Sequence, residues 1–280
     1  MKTALIVNSV KDKELTNTKR LVDSLNSKTE IYTDDELIAN ALGIKYAQSP
    51  ELLASADVAI ALGGDGTILQ RAAECAENGV KVLGINLGKI GFMTEIEPSD
   101  MEKALEKLIS GDYKTEKRMM IKAEIRKSDG TLMRFHALND VVVSKSLGDQ
   151  LIAVEMSADG EKVNRYSADG LIIATPTGST GYSISAGGPV VEPGMRLIVA
   201  TPICAHTLSA RSAILPSCKT IKIRLNSSYG GSEAFVTADG SVRCGITDSD
   251  EVIITESEYD FELIKIGNQS FYDTLINKLS

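Results

Sequence analysis

Four cysteines are all that the chain carries, and Cys75, Cys204, Cys218 and Cys244 are scattered without a single C-x-x-C pair. With only His136 and His206 to complete a metal site, the thiols read as reduced and mostly structural. Positive charge is short as well: the net charge is −8 and the pI about 5.0. That balance excludes the broad basic footprint that DNA, RNA or an anionic membrane would ask for. A small anionic substrate stays open, because a few N–H groups or one Lys can reverse the potential inside a cleft. No apolar run approaches about 18 residues, and the stretch from Ala4 to Val7 is far shorter than a secretory signal core, so a cytoplasmic place is expected. Tandem repeats and low-complexity tracts are missing too. What is present is length: 280 residues with 43% hydrophobic content can bury two ordinary cores, so two domains are expected.

The first half reads as strand and helix in alternation. Ala4 to Val7 makes a short buried-strand pattern, Leu21, Val22 and Leu25 recur at helical spacing, and Ile31 and Tyr32 suggest a second strand. Asp57 to Leu62 is a third strand, Ile68 to Ala76 a helix ending near Asn78 and Gly79, and Val80 to Ile85 a fourth strand. Such alternation favours a parallel sheet, whose ligands bind beyond the carboxyl ends of the strands. Ser99 and Glu102 form a capping box ahead of a helix that carries Met101, Ala104, Leu105 and Leu108 and stops at Gly111. From about Lys117 the pattern changes to strand, turn, strand. Met119 to Arg126 and Leu132 to Val143 flank a turn at Asp129 and Gly130, with similar pairs around Asp159 and Asp239. The reading is an α/β domain over residues 1–117 with a parallel sheet, and a β-rich, sandwich-like domain over 118–266. A C-terminal helix over 267–280, with Phe271, Leu275, Ile276 and Leu279 at helical spacing, is expected to return to the first domain.

Asp-Gly occurs five times, at 65, 129, 159, 169 and 239, and most copies need be no more than hairpin turns. The copy at 65 differs, because a strand precedes it and a helix follows, and no hairpin joins those. Gly63, Gly64, Asp65, Gly66 and Thr67 therefore read as a phosphate loop whose glycines let backbone N–H groups approach an anion. A loop built only for phosphate would not hold a carboxylate. Asp65 reads as taking a proton from a hydroxyl or orienting a magnesium-bound nucleotide. Gly84 to Phe92 makes a second glycine-rich loop after a strand, with neither Rossmann nor P-loop spacing. Asn139 and Asp140 interrupt an apolar run, either as a turn or as acceptors for ribose hydroxyls. From Thr175 to Ser185 six Ser or Thr and one Tyr stand among two glycines, suited to phosphate, ribose or an amide, or else to a capped polar loop. A serine hydrolase is disfavoured, since Gly178, Ser179, Thr180 and Gly181 miss the G-x-S-x-G spacing and the chain order of Asp169, Ser179 and His206 is wrong for that elbow.

These segments together resemble bacterial NAD kinases. The likeness is carried by LGGDGTIL at Leu62–Leu69, GINLGKIGF at Gly84–Phe92, LNDVV at Leu138–Val142, DGLIIATPTGSTGYSISAGGP at Asp169–Pro189 and ICAHTLSAR at Ile203–Arg211. The resemblance implies transfer of the γ-phosphoryl of ATP, or of polyphosphate, to the 2′-hydroxyl of the adenosine ribose of NAD, with magnesium or another divalent cation. It puts Asp65 as the base, Gly66 beside the ribose, Phe92 near adenine, and Asn139 and Asp140 on ribose and adenine. Asp169 falls on the nicotinamide amide, with Thr180, Gly181, Tyr182, Ser183 and Ser185 around adenine and phosphates. It also implies a homodimer or homotetramer in which neighbouring subunits complete the pocket. Gly181, Ser241, Gln70 and Ser167 depart from the usual pattern, the last two standing where relatives often carry a basic residue. A kinase with the same loop and a lipid or sugar acceptor, and a nucleotide sensor without activity, are the competing classes.

Overall fold

The structure, a computed structural model, describes the chain except residues 27, 89–90, 147–149, 207–209, 228–232, 268–269 and 280. It divides into two compact units, residues 1–117 with 261–280, and residues 118–260.

In the first unit β1 (Lys2–Val7) leads to α1 (Thr16–Leu25), whose buried Thr18, Leu21, Val22 and Leu25 form one helical stripe. After β2 (Glu30–Thr33), Asp35 caps α2 (Glu36–Leu42) by accepting from the N–H groups of Leu37 and Ile38, and Gly43 ends it in the left-handed region. A two-residue β3 (Lys45–Tyr46) and α3 (Ser49–Ala54) follow before β4 (Val58–Gly63). The stretch read as one helix is two, α4 (Asp65–Leu69) and α5 (Ala72–Glu77), parted at Gln70 and Arg71, and β5 (Lys81–Asn86) succeeds them. Helix α6 (Met101–Ser110) ends at left-handed Gly111 as expected, but its cap is Asp100 without a side-chain bond. The capping box does not form: the Glu102 carboxylate is taken by Arg20, at 2.7 Å from Nη2 and 3.1 Å from Nε. The five strands pair in parallel in the order β3-β2-β1-β4-β5. The chain thus moves from β1 to one side and then returns to the other, which puts the topological switch between β1 and β4.

The second unit opens within β6 (Lys114–Arg126), which makes a hairpin with β7 (Leu132–Ala137); β8 (Asp140–Ser144) is separated from β7 by Leu138 and Asn139. Then come β9 (Ile152–Ala158), β10 (Glu161–Ala168), β11 (Gly170–Ala174), a 3-10 turn at Thr177–Thr180 and the single turn α7 (Tyr182–Ser185). Strands β12 (Leu197–Ile203), β13 (Ala213–Pro216), β14 (Ile221–Leu225), β15 (Glu233–Ala238), β16 (Ser241–Thr247) and β17 (Glu251–Lys265) complete it. One antiparallel sheet runs β13-β12-β11-β8-β15-β16, and the other sets β10, β9, β14 and β17 side by side with β6 and β7 beyond. Side chains of both meet in one core that includes Ile121, Val154, Tyr166, Ile223 and Ile254 from one sheet and Val141, Val143, Leu171, Ile173 and Val236 from the other. Val142 and Ile172 point the opposite way, under Val191 and Ile203. Burial on both faces explains why β8 and β11 read as unbroken apolar runs rather than alternating ones.

The chain re-enters the first unit at Phe261, where Leu263 of β17 pairs with Val82 of β5, and ends in α8 (Phe271–Leu279). The stripe expected on this helix needs correction: Thr274 is buried and Ile276 is 63% exposed, while the Leu279 side chain lies outside the described residues. At about 100° per residue Ile276 lies roughly 140° round from Phe271, off the face that Phe271, Thr274 and Leu275 share.

Candidate active site

Strand β4 ends at Gly63, and Asp65 opens α4 at the carboxyl end of the parallel sheet. The two glycine-rich loops are tied together by that one carboxylate. Its Oδ2 accepts from the Phe92 N–H at 2.8 Å; its Oδ1 accepts from the N–H groups of Met93 and Thr94 at 3.0 and 3.2 Å and from the Thr94 hydroxyl at 3.1 Å. Lys278 of α8 puts its Nζ 3.9 Å from Oδ2 and 4.5 Å from the centre of the Phe92 ring, which also leans on Phe271 at 5.7 Å. Gly91 is required by this closeness, since a Cβ there would stand 1.9 Å from Oδ1. A carboxylate offers about four lone-pair sites, so Oδ1 is saturated while Oδ2 keeps room for one more donor. The Asp65 side chain retains 25% of its surface, enough for a hydroxyl to reach it.

The other residues of the expected phosphate loop divide by role. Thr67 is buried, and its hydroxyl accepts from the Gly64 N–H at 3.3 Å and from Asn8 Nδ2 at 3.5 Å; a Cβ on Gly63 would collide with it. Gly63 and Thr67 therefore shape the loop from inside, while Gly64 and Gly66 keep accessible surface. Lys89 and Ile90 of the second glycine-rich loop lie outside the described residues.

In the second unit Asn139 and Asp140 sit where β7 passes to β8, and the bend is clamped by Asp239. Its carboxylate accepts from the N–H groups of Leu138, Asn139 and Asp140 at 2.8, 2.7 and 3.1 Å. Asp239 occupies the left-handed region at φ 47°, followed by Gly240 at φ 75°, so the turn expected there forms and its side chain does a second job. Burial raises the Asp239 carboxyl against those three donors. Burial, helped by the charge of Asp239, pushes the Asp140 carboxyl up to about 7. A carboxyl raised that far can carry a proton near neutral pH, so Asp140 can donate as well as accept.

The hydroxyl-rich turn packs on the same bend. The Thr175 N–H donates to the Asn139 carbonyl at 2.8 Å and its hydroxyl to the Leu138 carbonyl at 2.5 Å. Asn139 Oδ1 is left buried with no hydrogen-bond partner among the described residues. A buried acceptor in that state costs free energy unless a ligand donor completes it. Below the turn Arg118 donates from Nη1 to the Thr177 hydroxyl at 3.4 Å. Ser179 is fully buried, donating to the Pro176 carbonyl and accepting from the Val191 N–H, which removes it as a nucleophile. Ser183 is also fully buried, its hydroxyl 3.0 Å from that of Thr201. Thr180 donates to the Thr177 carbonyl, Gly181 is half-buried, and Tyr182 and Ser185 are exposed.

Asp169 stands apart from this group, at the opposite end of β11, roughly 20 Å of strand away from Thr175 at ~3.3 Å per residue. Its partner is Lys145, 2.8 Å from Oδ1. The sequence brought Asp65, Asn139 and Asp140 into view but passed over Asp239, Lys145, Lys278, Thr94 and Arg118.

Family descriptions cover both halves of the chain: the ATP-NAD kinase N-terminal domain matches residues 4–113, and the ATP-NAD kinase C-terminal domain matches residues 138–266. The NAD kinase of Caldanaerobacter subterraneus subsp. tengcongensis is 39% identical over 282 residues, spanning 100% of this chain and 99% of the relative. That of Heliobacterium modesticaldum is 39% identical over 278 residues, with 98% and 97% spanned. Among solved structures, yeast NADH kinase complexed with NADH superposes at TM-score 0.88 with 25% identity, covering 100% of this chain and 87% of that one. An NAD kinase from Archaeoglobus fulgidus in complex with ATP gives TM-score 0.73 and 26% identity, covering 100% and 98%. With its Asp65 loop inside the N-terminal match and its Asp239-clamped bend inside the C-terminal one, the chain belongs to the ATP-NAD kinase family.

Proposed function

We propose that this chain is an NAD kinase, a phosphotransferase that moves the γ-phosphoryl of ATP to the 2′-hydroxyl of the adenosine ribose of NAD and so makes NADP. The observation that carries the proposal is the Asp65 carboxylate, fixed by four hydrogen bonds yet open to one more donor at Oδ2. A ribose hydroxyl is far less acidic than a carboxylic acid, so no alkoxide forms in advance. Asp65 accepts the proton as the oxygen–phosphorus bond develops, for ~10² to 10⁴ in rate, or roughly 3 to 5 kcal/mol. The transition state of phosphoryl transfer is loose, and the remaining acceleration comes from holding acceptor oxygen, phosphorus and leaving oxygen in line.

In the same reading the vacant Asn139 Oδ1 accepts from an adenosine donor group, and Asp140 completes recognition of that nucleoside. The Asp169 carboxylate accepts from the nicotinamide amide, with Lys145 holding it in place. Gly66, Phe92, Thr180, Gly181, Tyr182, Ser183 and Ser185 line the dinucleotide. Inorganic polyphosphate, which ends in the same phosphoryl group, is a second donor. Among the described residues no three His, Cys, Asp or Glu side chains gather as a metal cage. Magnesium would be carried by the donor's own phosphates. A homodimer or homotetramer whose neighbouring copy completes the pocket is part of the same proposal. None of the described helices is long and apolar enough to cross a membrane, and a cytoplasmic place is part of the proposal. Purified protein incubated with magnesium, ATP and NAD should yield NADP, detected with a dehydrogenase that uses only NADP. Absence of NADP would reject the reading.

A further inference from the structure

The phosphate donor needs a cation, and the first unit has one in an unusual place. Strand β1 ends in a turn in which the Lys11 N–H donates to the Asn8 carbonyl at 3.0 Å and to Asn8 Oδ1 at 3.2 Å. Asn8 is itself fastened to the Asp65 loop: its N–H donates to the Leu62 carbonyl at 2.9 Å, and its Nδ2 lies 3.5 Å from the Thr67 hydroxyl. The turn is thus built on the loop after β4, and it directs the Lys11 side chain across both glycine-rich loops. A Cβ on Gly64 would stand 2.9 Å from Lys11 Nζ, and one on Gly88 3.4 Å from it. Glycine at both positions leaves the ammonium lying directly over bare backbone.

Three further facts point to an anion. Lys11 has no salt bridge among the described residues; its neighbour Asp12 is turned inward, accepting from the N–H and hydroxyl of Thr18 at 2.8 and 2.6 Å. Among the described residues, Lys278, an ammonium also close to this loop, is already engaged by Asp65 and Phe92. The location is the carboxyl ends of β1 and β4, where the strand order reverses, the crevice in which open parallel sheets bind ligands. In a chain of net charge −8, an unneutralised ammonium at that crevice sets the local potential for an anion.

We infer that Lys11 is the donor-phosphate residue, holding the condensed phosphate chain of the phosphoryl donor over Gly64 and Gly88. The inference rests on the kinase reading and adds to it the residue that recognises the donor. The shared ligand chemistry is a linear polyphosphate anion, from a nucleoside triphosphate or from inorganic polyphosphate. One charge-assisted contact of this kind corresponds to ~10- to 100-fold in affinity.

Steady-state kinetics on Lys11→Ala and Lys11→Arg, each with ATP and with polyphosphate as donor, test it. The Ala variant should raise the donor KM ~10-fold or more while the KM for NAD stays within about twofold, and Arg should restore most of the loss. A rise with ATP alone marks the nucleotide as the source, and a rise with polyphosphate alone marks the inorganic chain. Calorimetric titration with inorganic tripolyphosphate gives a readout independent of turnover: binding to the parent should weaken ~10-fold in Lys11→Ala. An unchanged donor KM and unchanged tripolyphosphate affinity in a folded Ala variant would overturn the assignment. Failure of the parent to make NADP from NAD would instead strike the kinase reading, leaving the tripolyphosphate result to decide Lys11 alone.

Discussion

Two acidic side chains in this protein are placed in opposite ways. Asp65 accepts four hydrogen bonds and neighbours an ammonium, whereas Asp140 is buried beside a second carboxylate, Asp239, and its carboxyl is pushed from the usual 3.8 to about 7. A raised carboxyl pKa means that the folded protein holds a proton the unfolded chain releases. The stability tied to that proton is complete below about pH 3.8 and is lost as pH rises through about 7. Asp140→Asn cannot ionise, so it should gain stability over the parent at pH 8, by up to about 4 kcal/mol, and the gain should shrink toward zero near pH 4. Thermal unfolding of both proteins across that range checks this, and an equal difference at both ends would refute it. Asp65 was readable in the sequence because its flanks, a strand and a helix, cannot be joined by a hairpin. Asp239 was not, because its dipeptide matches the ordinary turns while its carboxylate serves residues about 100 positions earlier in the chain.

Among the elements, the hairpins were the most legible. Asp159 and Gly160 take φ 49° and 84°, and Asp239 and Gly240 take 47° and 75°, the paired left-handed conformations that tight hairpins use. The turn at Asp129 is longer, closed by Lys127 N–H to the Thr131 carbonyl at 2.9 Å. It is locked from outside by Asp250, which accepts from Lys127 Nζ at 2.6 Å and from the N–H groups of Ser128 and Thr247, each at 2.8 Å. Burial alone would raise the Asp250 carboxyl, but Lys127 and these N–H groups outweigh it and hold it down at about 2. Its stabilisation is present above the usual 3.8 and disappears as pH falls through about 2. Asp250→Asn should therefore cost about 2 kcal/mol near pH 7 and little near pH 2, measured by denaturant unfolding at each pH. A cost that does not change with pH would show that the charge contributes nothing. Helices α2 and α3 escaped the sequence reading for a physical reason: α2 buries only Ile38 and Ala39 and leaves Leu37 81% exposed, so no apolar stripe announces it. Ile276 misled in the other direction, being apolar on a helix face that faces solvent.

For the whole molecule, the chain leaves the first unit at residue 117 and re-enters it at Phe261, within long strands at both crossings. The change from alternating strand and helix to strand and turn falls near Lys117, beside the division between the two compact units. The uninterrupted strand β17 carries the chain back without a turn or a shift in composition, so nothing in the pattern marks residue 260. What composition and pattern could not supply was the joining of distant segments around Asp65, where residues near 92 and a lysine at 278 converge. Under the proposed function, catalysis turns on that carboxylate accepting the proton of the sugar hydroxyl. The most direct measurement is kcat for Asp65→Asn with saturating ATP and NAD, beside the Kd for NAD. A fall of ~10² to 10⁴ in kcat with NAD affinity retained is the predicted result, and an undiminished kcat would contradict it.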